Sequence, residues 1–306
     1  MRKILVTGGC GFIGSNLIDA LIKNGHQVKV LDDLSTGKME NLNPDAQLTV
    51  GSITDADTVN SVMQDVDACF HLAAIASTQL SNQDWLGTHQ VNLTGAINIF
   101  NSCRQTQIPI VYASSAAVYG TTEPTKIQES FPKKPLTAYG ADKLGCELHA
   151  AVAGHIHGIP TCGLRFFNVY GPRQDPSSPY SGVISIFCDR ITSGSPINIF
   201  GDGEQTRDFI FVEDVVRYLI AALDRTTTAA PVFNVCTGKG ISINELARTA
   251  MLVANQTVPI KYQPLREGDI RHSIGDPTAA NQYFNIQAET SIQEGLQKLF
   301  NSFNVN

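Results

Sequence analysis

The sequence predicts an α/β fold in which a doubly wound parallel sheet is joined to a smaller C-terminal lobe. Three observations support this prediction: short apolar runs alternate with helical periods in the first half, a glycine-rich turn follows the first run, and residue usage changes after residue 166. Alternation of strands and helices indicates right-handed crossovers, which cover both faces of a parallel sheet with helices.

The first half of the chain supplies the strands and helices of the expected sheet. Apolar runs with the length of buried strands lie at 4–6, 28–31, 68–72 and 108–112, and a further strand ends at Val50. Helical periods occupy 12–24, 55–65, 85–105 and 139–155. Gly25 is expected to end the first helix, because glycine accepts the left-handed backbone found at many helix ends.

The second half of the chain begins with a different residue composition. Residues 171–207 are rich in Pro, Gly and Ser, which predicts the start of a loop-rich lobe. Helix and strand signals then return at 212–223 and 232–235. We therefore expect a first domain over 1–168, with segments near 209–236 returning to it, and a second, interleaved lobe formed mainly by 169–306.

Composition restricts the classes of function. The chain has 306 residues, of which 42% are apolar and 16% charged, with a net charge of -6. These values indicate a globular chain and give no basic surface for nucleic acid or anionic membranes. The first apolar run breaks at Thr7-Gly8-Gly9, too early for a signal peptide. Seven cysteines without a CxxC pair are then expected to be free thiols in a reducing cytoplasm.

A glycine pattern after the first strand indicates a dinucleotide site. Gly9-x-Gly11-x-x-Gly14 overlaps Gly8-x-x-Gly11-x-x-Gly14, and both open the first helix. Glycines at these places let the backbone approach a pyrophosphate, which is then stabilised by the positive end of the helix. The preceding strand and the following helix provide the context that this short motif needs.

Asp32 supports the same interpretation and indicates which dinucleotide is bound. It lies 18 residues after Gly14, at the end of the second strand, where a carboxylate can accept bonds from the hydroxyls of the adenine ribose. Together with Asp33 it would repel a 2′-phosphate, and Lys38 is the one nearby cation in the sequence. NAD is therefore expected rather than NADP.

A catalytic group is predicted on the helix at 139–155. Tyr139 and Lys143 are four residues apart and so share one helix face. A free tyrosine keeps its proton to about pH 10, so proton abstraction near neutral pH requires nearby positive charge. Ser114-Ser115 follows the fifth strand, at the end where an open parallel sheet keeps its site. Together these residues predict general acid–base chemistry beside the dinucleotide.

Other reactive residues have simpler explanations. His149, His155 and His157 are expected at the surface or at a helix end, because no second ligand group stands at zinc spacing. Cys146 is expected to be a buried, inert thiol. No metal site is predicted.

Several sequence runs together resemble the extended short-chain dehydrogenases, and most closely the UDP-glucose and UDP-N-acetylglucosamine 4-epimerases. The resemblance covers nearly the whole chain. It rests on Thr7-Gly8-Gly9-Cys10-Gly11-Phe12-Ile13-Gly14, His71-Leu72-Ala73-Ala74, Ser114-Ser115-Ala116-Ala117-Val118-Tyr119-Gly120, Tyr139-Gly140-Ala141-Asp142-Lys143, Leu164-Arg165-Phe166-Phe167-Asn168-Val169-Tyr170-Gly171-Pro172-Arg173-Gln174, Gly201-Asp202-Gly203 and Arg207-Asp208-Phe209.

The resemblance implies a Rossmann-type sheet that binds NAD and a smaller lobe that binds the substrate. The cofactor contacts would come from the glycine turn, the residues after the strands and the catalytic helix. They are Gly8, Gly11, Phe12, Ile13, Gly14, Asp32, Ser52, Ile53, Leu72, Ala73, Ala74, Tyr139, Lys143 and Phe166. One departure concerns Gly51-Ser52-Ile53, where the family often has an Asp that contacts adenine; the serine can still bond the exocyclic amine, but without charge.

The same resemblance implies a UDP-sugar substrate and a mechanism. Tyr139 would be the base at the sugar 4-hydroxyl, Lys143 its positive partner, and Ser115 a hydroxyl that shares the proton. C4 would give hydride to NAD, the 4-keto sugar would rotate, and hydride would return to the opposite face. Substrate-binding positions would be Ser114, Ser115, Tyr139, Asn168, Arg207, Arg266, Asp269 and Ser273.

Two positions narrow the reaction within the family. Ala116-Ala117 occupies the place of the Asp-Glu pair of the 4,6-dehydratases, and of a Glu in the decarboxylases. Ser273 matches a gatekeeper beside the sugar 2-position, where a tyrosine restricts the pocket to plain hexoses and a small residue admits N-acetylhexosamines. The open alternatives are another nucleotide-sugar epimerase, dehydratase or reductase, and a non-catalytic NAD-binding regulator. A homodimer through helices 85–105 and 139–155 is a further family expectation.

Overall fold

The computed structural model describes residues 1–121, 125–176, 182–265 and 270–303. The strands are β1 Lys3–Thr7, β2 Gln27–Asp32, β3 Gln47–Val50, β4 Ala68–His71, β5 Ile110–Ser115, β6 Thr161–Phe166, β7 Asn168–Tyr170, β8 Ile197–Phe200, β9 Thr206–Phe211, β10 Val232–Val235, β11 Gly240–Ser242, β12 Ile260–Gln263 and β13 His272–Ser273. The helices are α1 Phe12–Lys23, α2 Ala56–Val62, α3 Thr78–Gln83, α4 Trp85–His89, α5 Gly95–Ser102, α6 Ala138–His157, α7 Val183–Thr192, α8 Val212–Leu223, α9 Ile243–Val253, α10 Thr278–Phe284 and α11 Ile292–Phe303.

The main sheet has seven strands in the order β10-β6-β5-β4-β1-β2-β3. β1 pairs in parallel with both β2 and β4, so the chain reverses its direction of winding at β1. The loops after β1 and β4 therefore meet at the carboxyl edge, where open α/β sheets bind their ligands. The predicted α/β class is confirmed.

The chain divides into two compact units, which are described separately below. Unit 1 comprises Met1–Tyr119, Lys133–Arg165 and Val216–Phe233, and unit 2 comprises Gly120–Pro132, Phe166–Val215 and Asn234–Asn306. Each unit has its own apolar core: Leu5, Cys69 and Ile110 belong to the first, and Phe187, Leu246 and Leu299 to the second.

The local sequence explains the ends of the helix that carries Tyr139. The Thr137 hydroxyl accepts a hydrogen bond from the Gly140 N–H at 3.1 Å, which caps the start of α6. Gly158 ends the helix in the left-handed conformation, with φ of 68°, and its N–H donates to the Gly154 carbonyl. α6 thus begins one residue before Tyr139 and runs for 20 residues.

Residues 171–207, where the sequence predicts the start of a loop-rich lobe, also contain the regular elements α7 and β8. The signal in the sequence is the apolar spacing of Ile184, Phe187, Cys188 and Ile191, which places four buried side chains on one helix face. None of the helices described is long and apolar enough to cross a membrane.

Candidate active site

The glycine turn between β1 and α1 is tightly packed. Gly8 has φ of 70°, and a Cβ atom there would lie 2.8 Å from the backbone of Ala73 in the loop after β4. A Cβ atom on Gly14 would collide with the Gly8 carbonyl oxygen. Both positions therefore require glycine, and the turn brings the predicted residues Gly8, Gly14 and Ala73 together.

The N-terminus of α1 is suited to an anion. Its N-cap residue is Gly11, and no side chain caps the first turn, which includes Phe12 and Ile13. The first backbone N–H groups of a helix have no partner within the helix and carry partial positive charge. A pyrophosphate fits this terminus because it needs such donors and a backbone that it can approach closely.

Asp32 ends β2 beside the glycine turn. Its carboxylate accepts hydrogen bonds from the N–H groups of Cys10 and Leu34, each at 2.9 Å. Burial raises the pKa of Asp32, while these two backbone bonds oppose the rise. The two bonds fix the carboxylate beside the turn, which is where the predicted ribose contact requires it.

The loop after β4 is held by a threonine of β1. The Thr7 hydroxyl accepts from the N–H groups of Leu72 and Ala73, each at 3.2 Å, and it also bonds the Nδ1 atom of His71 at 2.9 Å. Burial, together with the positive charge of Lys143, lowers the pKa of His71 to about 3. His71 is therefore a neutral imidazole under the loop. Ala74, the next predicted cofactor contact, is half-buried.

The other predicted cofactor contacts have different environments. The Ser52 hydroxyl bonds the hydroxyl of Thr54 at 2.8 Å, and Ile53 is buried in the core of unit 1. Phe166, at the end of β6, is buried and belongs to unit 2.

Tyr139 and Lys143 are adjacent on α6. The Lys143 Nζ atom lies 5.9 Å from the centroid of the Tyr139 ring and donates a hydrogen bond of 3.0 Å to the carbonyl of Ala113. Lys143 is 3% exposed, whereas Tyr139 is half-buried. A buried lysine thus lies next to a partly accessible tyrosine ring on the same helix face.

Ser115 lies at the point where α6 meets the end of β5. Lys143 bonds Ala113, two residues before Ser115, and a Cβ atom on Gly140 would lie 2.6 Å from the Ala117 carbonyl. The Ser115 hydroxyl is half-buried and accepts from the Ala117 N–H at 3.2 Å. The structure thus brings the turn at Ser115 to the start of α6, where Tyr139 lies.

A buried ionic network under this turn was not predicted. Arg165 makes two hydrogen bonds to the Glu147 carboxylate, at 2.8 and 2.7 Å, and the Ser114 hydroxyl donates to the same carboxylate at 2.5 Å. Arg165 also donates to the Tyr119 hydroxyl at 2.7 Å. Glu147 stands one turn after Lys143, and a second charged residue on the same face of α6 was the sequence signal from which this network could have been predicted.

The network gives Ser114 a role that differs from its predicted substrate contact. Ser114 is 2% exposed, and its hydroxyl already donates to Glu147. Although burial alone would lower the pKa of Arg165, the hydrogen bonds and charge of Glu147 raise it. The charges are thus paired beneath the turn, and a direct bond from Ser114 to the substrate stays a prediction.

Three predicted substrate residues lie in one small sheet of unit 2, in which β9 pairs with β7, β11 and β13. Ser273 on β13 is the register partner of Arg207, and Asn168 on β7 is the partner of Phe209, two residues further along β9. Residues that are partners or two apart share one face of a sheet. Asn168, Arg207 and Ser273 therefore share a face, although they are up to 105 residues apart in sequence.

Two further predicted substrate residues, Arg266 and Asp269, lie outside the described residues.

The remaining reactive side chains are the cysteines and the histidines of α6. All seven cysteines are free and buried, and burial raises the pKa of Cys146 to about 11. His149 and His155 are exposed, and His157 is the last residue of α6. Among the residues described, no group of three or more His, Cys, Asp or Glu is placed to hold a metal. The reducing, cytoplasmic environment stays a prediction.

The sheet order, the glycine turn and the carboxylate after β2 define a Rossmann-type dinucleotide-binding protein. On that fold, Tyr139 and Lys143 lie side by side on α6, as the resemblance to the short-chain dehydrogenases predicts.

The chain belongs to the NAD-dependent epimerase/dehydratase family, whose model matches residues 4–236, and it is an enzyme that uses NAD. Among its relatives is the UDP-glucose 4-epimerase of Mycolicibacterium smegmatis, 34% identical over 309 residues, with 98% of each chain covered. The resemblance drawn from the sequence and the predicted cofactor are both confirmed.

Two solved structures are similar over almost the whole chain. The UDP-glucose 4-epimerase of Thermotoga maritima, in a structure with UDP-glucose, has a TM-score of 0.94 at 35% identity and covers 99% of this chain and 98% of its own. The UDP-N-acetylglucosamine 4-epimerase of Methanobrevibacter ruminantium M1, in complex with UDP-N-acetylmuramic acid, has a TM-score of 0.94 at 36% identity and the same coverages.

Proposed function

We propose that this enzyme interconverts UDP-sugars at C4 of the hexose. The observation that carries this proposal is the buried Lys143 ammonium beside the Tyr139 ring, on the helix start that meets the turn at Ser115. Relatives that match this chain over almost its full length include enzymes named for this reaction on two substrates, UDP-glucose and UDP-N-acetylglucosamine.

In the proposed mechanism Tyr139 is the base that takes the proton of the sugar 4-hydroxyl. Lys143 stabilises the phenolate by its charge, and its bond to Ala113 holds the ammonium in place. Ser115 shares the proton through its hydroxyl. NAD, when bound, supplies the acceptor of a hydride and its later donor. Because the 4-keto sugar must rotate before hydride returns, the protein must hold the diphosphate firmly and the hexose loosely.

We propose that unit 1 binds NAD and that unit 2 supplies most contacts to the UDP-sugar. The cofactor contacts would be Gly8, Gly11, Phe12, Ile13, Gly14, Asp32, Ser52, Ile53, Leu72, Ala73, Ala74, Tyr139, Lys143 and Phe166. Asn168 and Arg207 would bind the diphosphate, Ser273 would line the sugar 2-position, and Arg266 and Asp269 would lie near the uridine.

The small side chain of Ser273 leads us to propose that N-acetylhexosamines are accepted. Ser273 is the strand partner of Arg207, so a group bound near the arginine has only a hydroxymethyl side chain beside it on β13. Ala116-Ala117 supplies no carboxyl group for dehydration or decarboxylation. The reaction that fits these residues is therefore epimerisation.

Proton NMR of the holoenzyme mixed with UDP-glucose or with UDP-N-acetylglucosamine tests this function. We expect the anomeric signal of the galacto-configured product from both, with fast conversion of the N-acetylated sugar. Conversion of UDP-glucose alone would contradict the role of Ser273. A net rise in NADH with either sugar would show oxidation instead of epimerisation.

Tyr139→Phe tests the base directly. Loss of the phenolic oxygen should lower kcat by at least about 100-fold, as expected for a general acid–base group, and should leave NAD bound. Tyr283→Phe, which removes a hydroxyl from another half-buried tyrosine on α10, is the matched control and should keep its activity. Near-normal turnover by Tyr139→Phe would refute the mechanism.

We also propose a homodimer that buries the exposed apolar side chains of α4 and α6. Trp85, Leu148, Val152 and Ile156 are each more than half exposed, and the last three recur every four residues on α6. Leu148→Glu should therefore convert a dimer to a monomer in size-exclusion chromatography with light scattering. Leu252→Glu, at an exposed leucine of α9, is the control; a wild-type monomer would overturn the proposal.

A further inference from the structure

Asp208 is a fully buried carboxylate on β9 of unit 2. One of its oxygens accepts hydrogen bonds from the N–H and the hydroxyl of Thr237, at 2.9 and 2.6 Å. The other accepts from the N–H groups of Gly238 and Gly275, at 2.9 and 3.3 Å. The carboxylate thus joins β9 to the turn after β10 and to the segment after β13.

Asp208 is connected to each of the three substrate residues proposed for unit 2. Its backbone carbonyl accepts a hydrogen bond of 2.9 Å from the side-chain amide of Asn168. Arg207 precedes it on the strand, and Gly275, which its carboxylate bonds, is two residues after Ser273. Because successive residues of a strand point to opposite faces, the Asp208 side chain lies on the face opposite the Arg207 side chain.

We propose that Asp208 is a positioning residue that sets the binding of the substrate diphosphate without touching the substrate. This inference rests on the proposed function, in which Asn168 and Arg207 bind that diphosphate.

The physical reason is that the carboxylate adds hydrogen bonds between β9 and the segments next to its neighbouring strands. These strands are too short to form many backbone hydrogen bonds with β9. β13 has two residues and β11 has three, so few backbone hydrogen bonds hold either strand against β9. A charged acceptor makes stronger hydrogen bonds than a neutral one, and four donors converge on it. Removing it should let the strands shift, and small displacements of a binding residue weaken a charge-assisted contact.

The test is calorimetric titration of UDP into the NAD-loaded enzyme. Calorimetry gives the dissociation constant and the stoichiometry separately, so a loss of folded protein lowers the stoichiometry without altering the constant. Asp208→Ala removes all four bonds and should raise the dissociation constant about tenfold, the effect of one lost hydrogen bond to a charged group. Asp208→Asn keeps one acceptor oxygen and should give a smaller rise, with bound NAD unchanged.

Asp214→Asn and Asp214→Ala are the matched controls. Asp214 is also buried in unit 2, and its two oxygens accept from the backbone N–H groups of Glu289 and Thr290 at 3.1 and 3.0 Å. These variants disturb a buried carboxylate of the same kind and should leave the dissociation constant of UDP within about twofold of the wild type.

Two results would overturn the role of Asp208. One is an unchanged dissociation constant in both Asp208 variants, with only stability or stoichiometry reduced. The other is an equal rise in the Asp214 variants. Arg207→Gln separates this inference from the proposed function: if it leaves UDP binding unchanged, the diphosphate assignment itself fails. Weak binding by Arg207→Gln with normal binding by Asp208→Ala would refute the positioning role alone.

Discussion

Two buried carboxylates, one in each unit, are stabilised in opposite ways. In unit 1, Glu147 is paired with the guanidinium of Arg165 through two hydrogen bonds and takes a third from Ser114. In unit 2, the described donors to Asp208 are all neutral: three backbone N–H groups and one hydroxyl. The first carboxylate is neutralised by a full opposite charge, and the second is solvated by dipoles.

This difference determines what a substitution leaves behind. Removing Glu147 would leave the Arg165 charge buried, because Arg165 is 4% exposed and remains protonated. Removing Asp208 would leave neutral N–H groups, which cost less to bury than a charge. The same loss of a carboxylate should therefore destabilise unit 1 more than unit 2.

Glu147→Ala should produce the largest effect. We expect the free energy of unfolding to fall by about 3–5 kcal/mol, the usual cost of leaving one member of a buried ion pair without its partner. Urea unfolding followed by circular dichroism measures this loss. Because Ser114 also loses its acceptor, turnover should fall in the protein that remains folded.

The double variant Glu147→Met with Arg165→Met is the control for this prediction. It removes both charges and keeps apolar volume, so it should recover most of the stability lost by Glu147→Ala. If the double variant is less stable than Glu147→Ala, the unpaired charge is not the cause of the loss.

Asp208→Asn should destabilise less. We expect a loss of about 1–3 kcal/mol, because the amide keeps one acceptor oxygen and leaves no unpaired charge. The same urea experiment compares it directly with Glu147→Ala. A loss of unfolding free energy equal to that of Glu147→Ala would show that the neutral donors around Asp208 stabilise the protein as much as the ion pair does. It would contradict the expected difference between the two units.

The two carboxylates should also respond differently to pH. Burial raises the pKa of Asp208 above 3.8, although its four hydrogen bonds oppose the rise. A raised pKa means that the stability contributed by this group is present below 3.8 and is lost as pH rises through the folded-state value. The difference in unfolding free energy between the wild type and Asp208→Asn should therefore shrink with rising pH from about 3.5 to 7. A difference that grows with pH would contradict the assigned direction.

The sequence was most informative in unit 1, where the chemistry is encoded in short runs. The glycine turn, the carboxylate after β2 and the Tyr139–Lys143 spacing each need fewer than 25 residues of chain, and each lies on the predicted element. Such features follow from local geometry: a helix places positions four apart on one face, and glycine readily adopts the φ of 70° at Gly8, which other residues rarely adopt.

The small sheet of unit 2 could not be predicted in this way. It joins strands near residues 168, 207, 241 and 273, and three of these strands have only two or three residues. Strands this short carry no clear alternation, and their register is set by tertiary pairing. The family resemblance named Asn168, Arg207 and Ser273, but only the register shows that they share a face. Asp208 was visible within the Arg207-Asp208-Phe209 run, yet its four donors come from distant segments.

His71 provides a third solution for a buried ionisable group. It has neither the ion pair of Glu147 nor the several donors of Asp208, and burial beside the Lys143 charge lowers its pKa to about 3. Because the folded-state pKa lies below 6.5, the stability this group contributes is present above pH 6.5 and is lost as pH falls toward 3.

Nitrogen-detected NMR of ¹⁵N-histidine-labelled protein should show a His71 signal that does not move between pH 5 and 8. The same residue in urea-unfolded protein is the control and should titrate near 6.5. Titration of folded His71 in this range would mean that a positive charge is tolerated next to Lys143, and the electrostatics assigned to the catalytic helix would have to be revised.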